Sequence, residues 1–576
     1  MKHEFLRRAL FAASLALLSA CAAAPQKPVV AVPLRLLAIN DFHGQISAGR
    51  TQDSRPAGGA AVLAGWLHDA ERSAPGTSLI VSSGDLVSAS PLASSLLRDE
   101  PTIQFMNLLA NSDCTVKDRL APRCNIVATT GNHEFDRGLS ELKRLHQGGE
   151  AKSGPSIATP WLGARFPLVS ANVVDAASGQ PILPPYAIKQ IPYKAADGNE
   201  RSIPVAFIGA TLRETPAMVV QSGVAGVRFL DEADSINRYV PELHAKGIRA
   251  IVVLLHQGGR QSAYPGPTDP YRALPVGEEL RAIVDRLDDE IDVVCAAHTH
   301  AFMNALIPNA HGKPILVTEA WSYSTAFAQL DLTLDPASGD VVRKTARIQP
   351  AWADAGIKAD AAAAELVARA EAIVAPIANR LLTTTDRDLL RSEIRDGESL
   401  MGDLVADAQR EAGHSDFSFI NSGGLRNDLR VVRPRPAGLP SGAISYADAH
   451  SVQPFANSLV RMSLSGDDIY ALLQGQFNAD GKRLHTLYVS GLVYQLRDGK
   501  VLEVRKDGKA LNRAARYTVT VANFLAEGGD QFELFKKGQD RSTVGGDLDA
   551  LTDYLDLHSE GGKLVLPADE ARVISE

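Results

Sequence analysis

The sequence predicts an α/β fold class, built as two domains joined by a helix, and three observations carry that expectation. From Pro33 to about Pro350, short apolar runs alternate with amphipathic stretches, the mark of an α/β layered domain. Residues 360–382 are very rich in alanine, with Leu366, Ile373 and Ile377 near helical spacing, which predicts an interdomain helix rather than a flexible linker. From about Thr383 onward, helical segments mix with strands of alternating pattern, which predicts a second, α+β domain. The expected divisions are 34–350, 351–382 and 383–576, preceded by a segment of a different kind.

That segment opens with Lys2, Arg7 and Arg8 and continues as an almost unbroken apolar run from Ala9 to Ala20. Its charge order and length fit a secretory signal over residues 1–20 and are too short for a membrane span. It ends Leu18-Ser19-Ala20-Cys21, which resembles a bacterial lipobox, so Cys21 is the expected lipidation site and residues 21–33 a tether. An ordinary cleaved signal, with Cys21 incidental, is the alternative. The 576-residue chain as a whole is 45% hydrophobic and 22% charged, ample for a core. With 59 Lys+Arg against 67 Asp+Glu, it lacks the basic excess that a polynucleotide partner requires. In an oxidising compartment Cys114 and Cys124, ten residues apart, are expected to form a loop-closing disulfide. Cys295 lies in an apolar run and is expected to be a buried, inert thiol.

Within the first domain the expected strands are Leu34–Ile39, Ser78–Val81, Ile126–Thr129, Val205–Ile208, Ala250–Leu255 and Ile291–Ala297. The expected helices are Ala60–Arg72, Ser94–Ala110, Asp231–Lys246 and Glu278–Leu287. In the second domain, Ser399–Glu411 and Asp467–Gln474 are expected helices, the latter opened by a Ser465-x-x-Asp468 box. Asp416–Ile420, Asn457–Leu464 and Arg516–Val521 are expected strands.

The residues just past the first-domain strands carry the chemistry. Five apolar runs end in Asp41-Phe42-His43, Gly84-Asp85, Gly131-Asn132-His133-Glu134-Phe135-Asp136, His256 and His298-Thr299-His300. Ligands of layered α/β proteins collect at the carboxyl ends of strands. A donor set of nitrogen and oxygen without thiolate suits divalent Mn, Zn, Co or Fe. Seven candidate ligands are enough for two ions, and two ions about 3.5–4 Å apart can clamp the attacking and departing oxygens of a displacement at phosphorus.

In this order the motifs resemble those of the calcineurin-like metallophosphoesterases. The resemblance implies a four-layer β-sandwich flanked by helices and two divalent metal ions. By it, Asp41, His43, Asp85 and His300 would hold one ion, and Asp85, as bridge, with Asn132, His256 and His298 the other. His133 would assist the reaction without ligating, oriented by Asp136. One departure is Ala297, where the family usually has glycine; it removes no ligand.

The second domain must choose the substrate. Asn421-Ser422-Gly423-Gly424-Leu425-Arg426 follows a strand run, and its glycines allow close backbone approach while Arg426 offers a guanidinium fork to phosphate. Arg387, Arg391 and Arg395 are four apart and in a helix would share a face, a solvated basic face being the bland alternative. Phe455 and Phe524 sit among turn-forming residues, able to stack a flat base; Asn457 could read a base edge and Asp530 could accept from ribose hydroxyls. Together these resemble the C-terminal domain of bacterial and animal 5'-nucleotidases, over essentially the whole chain from Leu34 to about Leu566. That resemblance implies a nucleotide substrate, with phosphate held by Arg387, Arg391 and Arg426, base by Phe455, Phe524 and Asn457, and ribose by Asp530. A cyclic-nucleotide phosphodiesterase/3'-nucleotidase, a UDP-sugar or dinucleotide pyrophosphatase, and a thiosulfohydrolase on the same scaffold are the expected rivals. A surface nucleotide-binding protein with an inactive metal site is the non-enzyme rival.

Overall fold

Two six-stranded sheets face each other across the first half of the chain. The computed structural model describes residues 31–151, 155–268, 276–433, 438–566 and 570–575. The expected signal and Cys21 lie outside the described residues. The first sheet runs, in spatial order, Val341–Pro350, Ala326–Leu334, Val32–Ile39, Thr77–Ser82, Ile126–Thr129, Leu168–Val169. The second runs Phe302–Pro308, Pro314–Ala320, Ile291–Cys295, Ala250–His256, Glu200–Thr211, Tyr186–Lys194. The inner strands pair in parallel, so their carboxyl ends share one edge. Buried on both faces, they need continuous apolar runs, and Ala250–His256 is buried at every position.

Leu36, Val81, Val127, Val205, Phe207, Val252, Leu254 and Val293 fill the space between the sheets. Helices Ala60–Arg72, Glu100–Leu109, Leu139–Gln147 and Ala361–Ala378 cover the outer face of the first sheet. Glu232–Asn237, Val240–Ala245 and Glu278–Arg286 cover the second. The order is helix, sheet, sheet, helix.

Two expected helices are broken. Ser94–Ala110 divides into Leu92–Ser95 and Glu100–Leu109, because Arg98 and Asp99 take left-handed backbone (φ 56° and 60°) and Pro101 restarts the helix. Asp231–Lys246 divides into Glu232–Asn237 and Val240–Ala245 at Pro241, which has no N–H to continue the ladder.

The alanine-rich helix spans Ala361–Ala378, capped by Asp360, whose side chain accepts from the Ala363 N–H. Its buried stripe is Ala363, Leu366, Ala370, Val374 and Ala378, while Ile373 and Ile377 are exposed. The sequence overweighted the large side chains: close packing against Ala60–Arg72 favours the alanines. The helix thus belongs to the outer layer of the first domain's core. The run Arg387–Arg395 forms no helix. Leu389 pairs in a bridge with Leu429, and the Arg391 N–H donates to Asp428 (2.9 Å), so this backbone is spent on a neighbouring loop.

In the second domain a five-stranded sheet runs Leu487–Ser490, Phe417–Asn421, Arg516–Ala522, Ser458–Ser465, Gln539–Gly546. Helix Leu400–Ala412 packs on it with Asp547–Leu557, and Gly466–Gln474 serves a separate core. Ser465 and Asp468 form the capping box that the sequence spells. Cys114 and Cys124 are disulfide-bonded. The Cys295 thiol is buried, and that burial pushes its pKa up to about 12. Among the described residues, no helix is long and apolar enough to cross a membrane.

Lys189, fully buried beneath the disulfide loop, donates to the Ala121 carbonyl (3.0 Å). Burial lowers its pKa to about 8 from the ordinary 10.5, with Asp118 opposing. Below pH 8 both folded and unfolded chains are protonated and the burial cost is complete. Between about pH 8 and 10.5 only the unfolded chain holds the proton, so stability rises there. Lys189→Met is therefore expected to stabilise the fold at pH 7 by about 1–3 kcal/mol, less at pH 10. Thermal unfolding at the two pH values measures this, and a lower melting temperature for the variant at pH 7 would refute it.

Candidate active site

The expected metal ligands converge at the shared strand edge. Asp41, His43, Asp85, His298 and His300 all have left-handed backbone, with φ between 45° and 77°. That conformation is uncommon outside glycine but most accessible to Asp, Asn and His, and it clusters where function holds the chain in strain. The turns bring the side chains into contact. Asp85 Oδ2 lies 3.1 Å from His256 Nε2 and 3.6 Å from His43 Nε2. His43 Nε2 lies 3.1 Å from His300 Nε2, which is 3.6 Å from Asp41 Oδ1. Asn132 Oδ1 is 3.1 Å from His256 Nε2.

The outer shell fixes these rings. His43 Nδ1 faces the Ser88 carbonyl (3.0 Å) and His256 Nδ1 the Ser83 carbonyl (2.8 Å), so each donates outward and turns Nε2 inward. Three groups, Asp41 with His43 and His300, His43 with Asp85 and His133, and Asp85 with His256 and His298, each gather ligand atoms within 4.8 Å.

Electrostatics says what the cluster fits. Burial raises Asp41 to about 7, and Asp85 adds repulsion. Burial holds His43 and His300 well below the ordinary value and brings His298 to about 3. His256 goes the other way: burial opposes its charge, but the Asp85 carboxylate wins and raises it to about 10. Buried carboxylates crowded together with imidazoles, three of them held neutral by burial, are the donor set of a divalent cation site. The residues present fit two such ions.

His133 shares one of these groups, with His43 and Asp85, but turns its Nδ1 toward Asp136. Its Nδ1 contacts Asp136 Oδ2 (2.7 Å) and its backbone N–H donates to Asp85 Oδ1 (2.9 Å). Burial disfavours its charge, yet Asp136 and Asp85 raise its pKa above the ordinary value. Its ring packs edge-on to His43 and flat against Phe455, centroids 5.0 and 5.7 Å apart.

Phe455 connects the two domains at one cavity, which His133, Asn132 and His298 line from the first domain. Asn421, Arg426, Phe455, Asn457, Phe524 and Asp530 line it from the second, and Met218, Val219 and Val220 close it as an apolar wall. The Phe524 ring lies on the backbone of Gly529, where a Cβ would fall 2.4 Å from the ring; only glycine fits. Asp530 accepts from Asn421 Nδ2 (2.7 Å), and Asn457 donates to buried Asp547 (3.0 Å), so neither side chain is free to wander. The Gln221 N–H donates to Glu527 (2.8 Å), and Ser95 Oγ meets His450 Nε2 (3.0 Å), tying the domains together.

The arginines divide. Arg426 reaches the Tyr323 hydroxyl (3.2 Å) and lies 5.6 Å from the Phe455 ring centroid. Arg391 donates to the Leu425 carbonyl (3.1 Å), beside Arg426. Arg387 is exposed, and no contact joins its side chain to the other site residues among those described.

Sequence reasoning missed four residues here. Glu134 accepts N–H groups of Asp85, Leu86 and Gly131, clamping two ligand loops together. Glu319 accepts from Thr299 Oγ1 (2.8 Å) and the Ala301 N–H (3.0 Å), fixing the turn that carries His298 and His300. The Tyr323 N–H donates to the Asp41 carbonyl (2.8 Å), and its ring flanks His43 and His300. Arg50 lies over Tyr323, 4.1 Å from the ring centroid. Glu134 stands inside the motif that runs from Gly131 to Asp136, but the other three carry no local signal.

Residues 34–302 match the calcineurin-like phosphoesterase family, and residues 373–537 match the 5'-nucleotidase C-terminal domain. Endonuclease YhcR of Bacillus subtilis is 31% identical over 92% of this chain, which spans only 40% of that relative's length. Cell wall protein Lmo0130 of Listeria monocytogenes is 31% identical over 94% of this chain and 69% of its own. A 5'-nucleotidase of Vibrio cholerae is 26% identical over 96% of each chain. The crystal structure of a 5'-nucleotidase precursor from Thermus thermophilus superposes with a TM-score of 0.72 at 25% identity, covering 94% of this chain and 99% of that one. A sulfate thiohydrolase, SoxB, from the same organism shares the fold at a TM-score of 0.65 and 19% identity, covering 96% and 98%. With the ligand cluster, the two-domain cavity and these matches together, the chain belongs to the 5'-nucleotidase family of calcineurin-like metallophosphoesterases, and it is a phosphoesterase hydrolase.

Proposed function

We propose that the protein removes phosphate from nucleoside 5'-monophosphates, outside the cytoplasm, on a lipid anchor at Cys21. The observation that carries this reading is the shared cavity: an aromatic pocket of the second domain opens onto the metal-ligand cluster of the first, with His133 and Phe455 in contact between them. Asp41, His43, Asp85 and His300 would hold one divalent ion, and Asp85, Asn132, His256 and His298 the second. When bound, two such ions polarise the phosphoryl group and acidify a nucleophilic water.

The chain's own residues do the rest. Phe455 and Phe524 hold the base, with Asn457 and Asn421 at its edge and Asp530 at the ribose. Arg426 and Arg391 neutralise phosphoryl oxygens. His133, oriented by Asp136, which favours its protonated form, stands beside the departing ribose 5'-oxygen and gives it a proton. The apolar wall Met218–Val220 keeps the nucleoside from bulk water. The same scaffold carries a sulfate thiohydrolase in another protein, but such a substrate has no use for an aromatic pocket.

Phe524→Ala tests the pocket. Base–aromatic stacking is worth roughly 1–3 kcal/mol, so KM for 5'-AMP should rise about 10–100-fold. Hydrolysis of p-nitrophenyl phosphate, which has no base, should hold. An unchanged KM for 5'-AMP would place the base elsewhere. For the anchor, Cys21→Ser is expected to move the protein from the membrane fraction to the soluble one.

A further inference from the structure

We propose that Arg50 of the metal-binding domain completes a three-guanidinium site with Arg391 and Arg426 of the second domain, and that this site grips the substrate's phosphate from both sides of the domain interface. The inference rests on the nucleotidase reading and adds to it a binding residue that lies outside the second domain.

Arg50 is held in place rather than left to solvent. It lies seven residues past the ligand turn Asp41–His43 and starts the hairpin strand Arg50–Gln52. Its Nε donates to Gln45 Oε1 (2.9 Å), and Gln45, itself buried, donates to the Ser47 carbonyl (2.8 Å). The guanidinium lies over the Tyr323 ring, whose centroid is 5.2 Å from that of His43 and 5.4 Å from that of His300. The hydroxyl of the same tyrosine meets Arg426. One aromatic ring therefore links two metal ligands to two arginines.

Contact carboxylates are few for these three charges, and Asp85 and Asp136 act on Arg426 only from beyond salt-bridge distance. Among the described residues, no carboxylate is in salt-bridge contact with Arg50 or Arg426, and Arg391 has only Asp428, at 3.5 Å. Burial, then the charges of Arg391 and Arg426, depresses the Arg50 pKa. A cation–π contact rationalises one arginine on Tyr323; it gives no reason to gather three like charges from two domains. An anion does. Guanidinium forks match phosphate oxygens, and the nearest chemistry that delivers a phosphate is the adjoining ligand cluster. Arg50 and Arg391 are absent from the lining of the aromatic cavity, so they serve the phosphate and leave the base to Phe455 and Phe524. Three positive charges also favour a monoester dianion over a cyclic diester monoanion.

The experiment is orthophosphate binding to the Mn²⁺-loaded protein, measured by titration calorimetry, with adenosine as the parallel ligand. Arg50→Gln should weaken orthophosphate about 10–100-fold and leave adenosine unchanged. Arg50→Lys, which keeps the charge but loses the planar stack, should fall between, and serves if the glutamine variant folds poorly. In turnover, Arg50→Gln should raise KM for 5'-AMP and narrow its advantage over 2',3'-cyclic AMP. Orthophosphate binding within twofold of the parent in a folded, metal-loaded Arg50→Gln variant would overturn the proposal. Orthophosphate binding needs no nucleotide turnover. A protein that ignores 5'-AMP yet loses orthophosphate on Arg50→Gln would therefore keep the site and overturn only the nucleotidase reading.

Discussion

Asp85→Asn is expected to lower kcat/KM by about 10⁴-fold or more and to strip metal from the protein. Asp85 is buried, and its Oδ2 lies 3.1 Å from His256 Nε2 and 3.6 Å from His43 Nε2, which serve opposite ends of the ligand cluster. Replacing one oxygen with an amide removes the charge that two cations would share and puts an N–H donor among ligand nitrogens. Its other oxygen accepts the His133 N–H, so the change also disturbs the position of His133. Removing one member of a buried charged set costs several kcal/mol because the rest stay buried and unmatched. Metal content by mass spectrometry, read beside activity, checks this; a variant with two ions per chain and parental kinetics would refute the bridge.

His133→Ala is expected to behave differently, losing roughly 10²–10⁴-fold in kcat with both metals retained. His133 Nδ1 is committed to Asp136, and the His133 ring sits between the ligand cluster and the base cavity. That is the place of a group able to stabilise the departing oxygen. The smaller alanine also removes one face of the packing on Phe455, so KM for 5'-AMP should rise a few-fold. Loss of metal in this variant would make His133 a ligand and change the assignment.

These two variants touch residues that the sequence already displayed, and the reason is physical. Metal ligands on strand ends sit beside continuous apolar runs, so the run and the ligand are neighbours in one-dimensional text. The four layers were legible for the same cause: strands buried on both faces leave no alternation to misread. What escaped was set by juxtaposition. Arg50 and Tyr323 are 273 positions apart, and nothing near either says that they meet. Glu319 holds the His298–His300 turn from the end of an interior strand, where it looks like any other acidic residue. The spacing Arg387, Arg391, Arg395 suggested a helical face, but the backbone there is spent on Leu429 and Asp428. In the alanine-rich helix, size misled, since a tight interface buries Ala370 and exposes Ile373.

Phosphate release from 5'-AMP by the purified, Mn²⁺-loaded protein tests the central claim most directly, with 3'-AMP, 2',3'-cyclic AMP and UDP-glucose as competitors and a chelated sample as control. 5'-AMP is expected to have the highest kcat/KM, chelation to abolish release, and added Mn²⁺ to restore it. Full activity in the chelated sample, or release from the competitors with none from 5'-AMP, would contradict the claim.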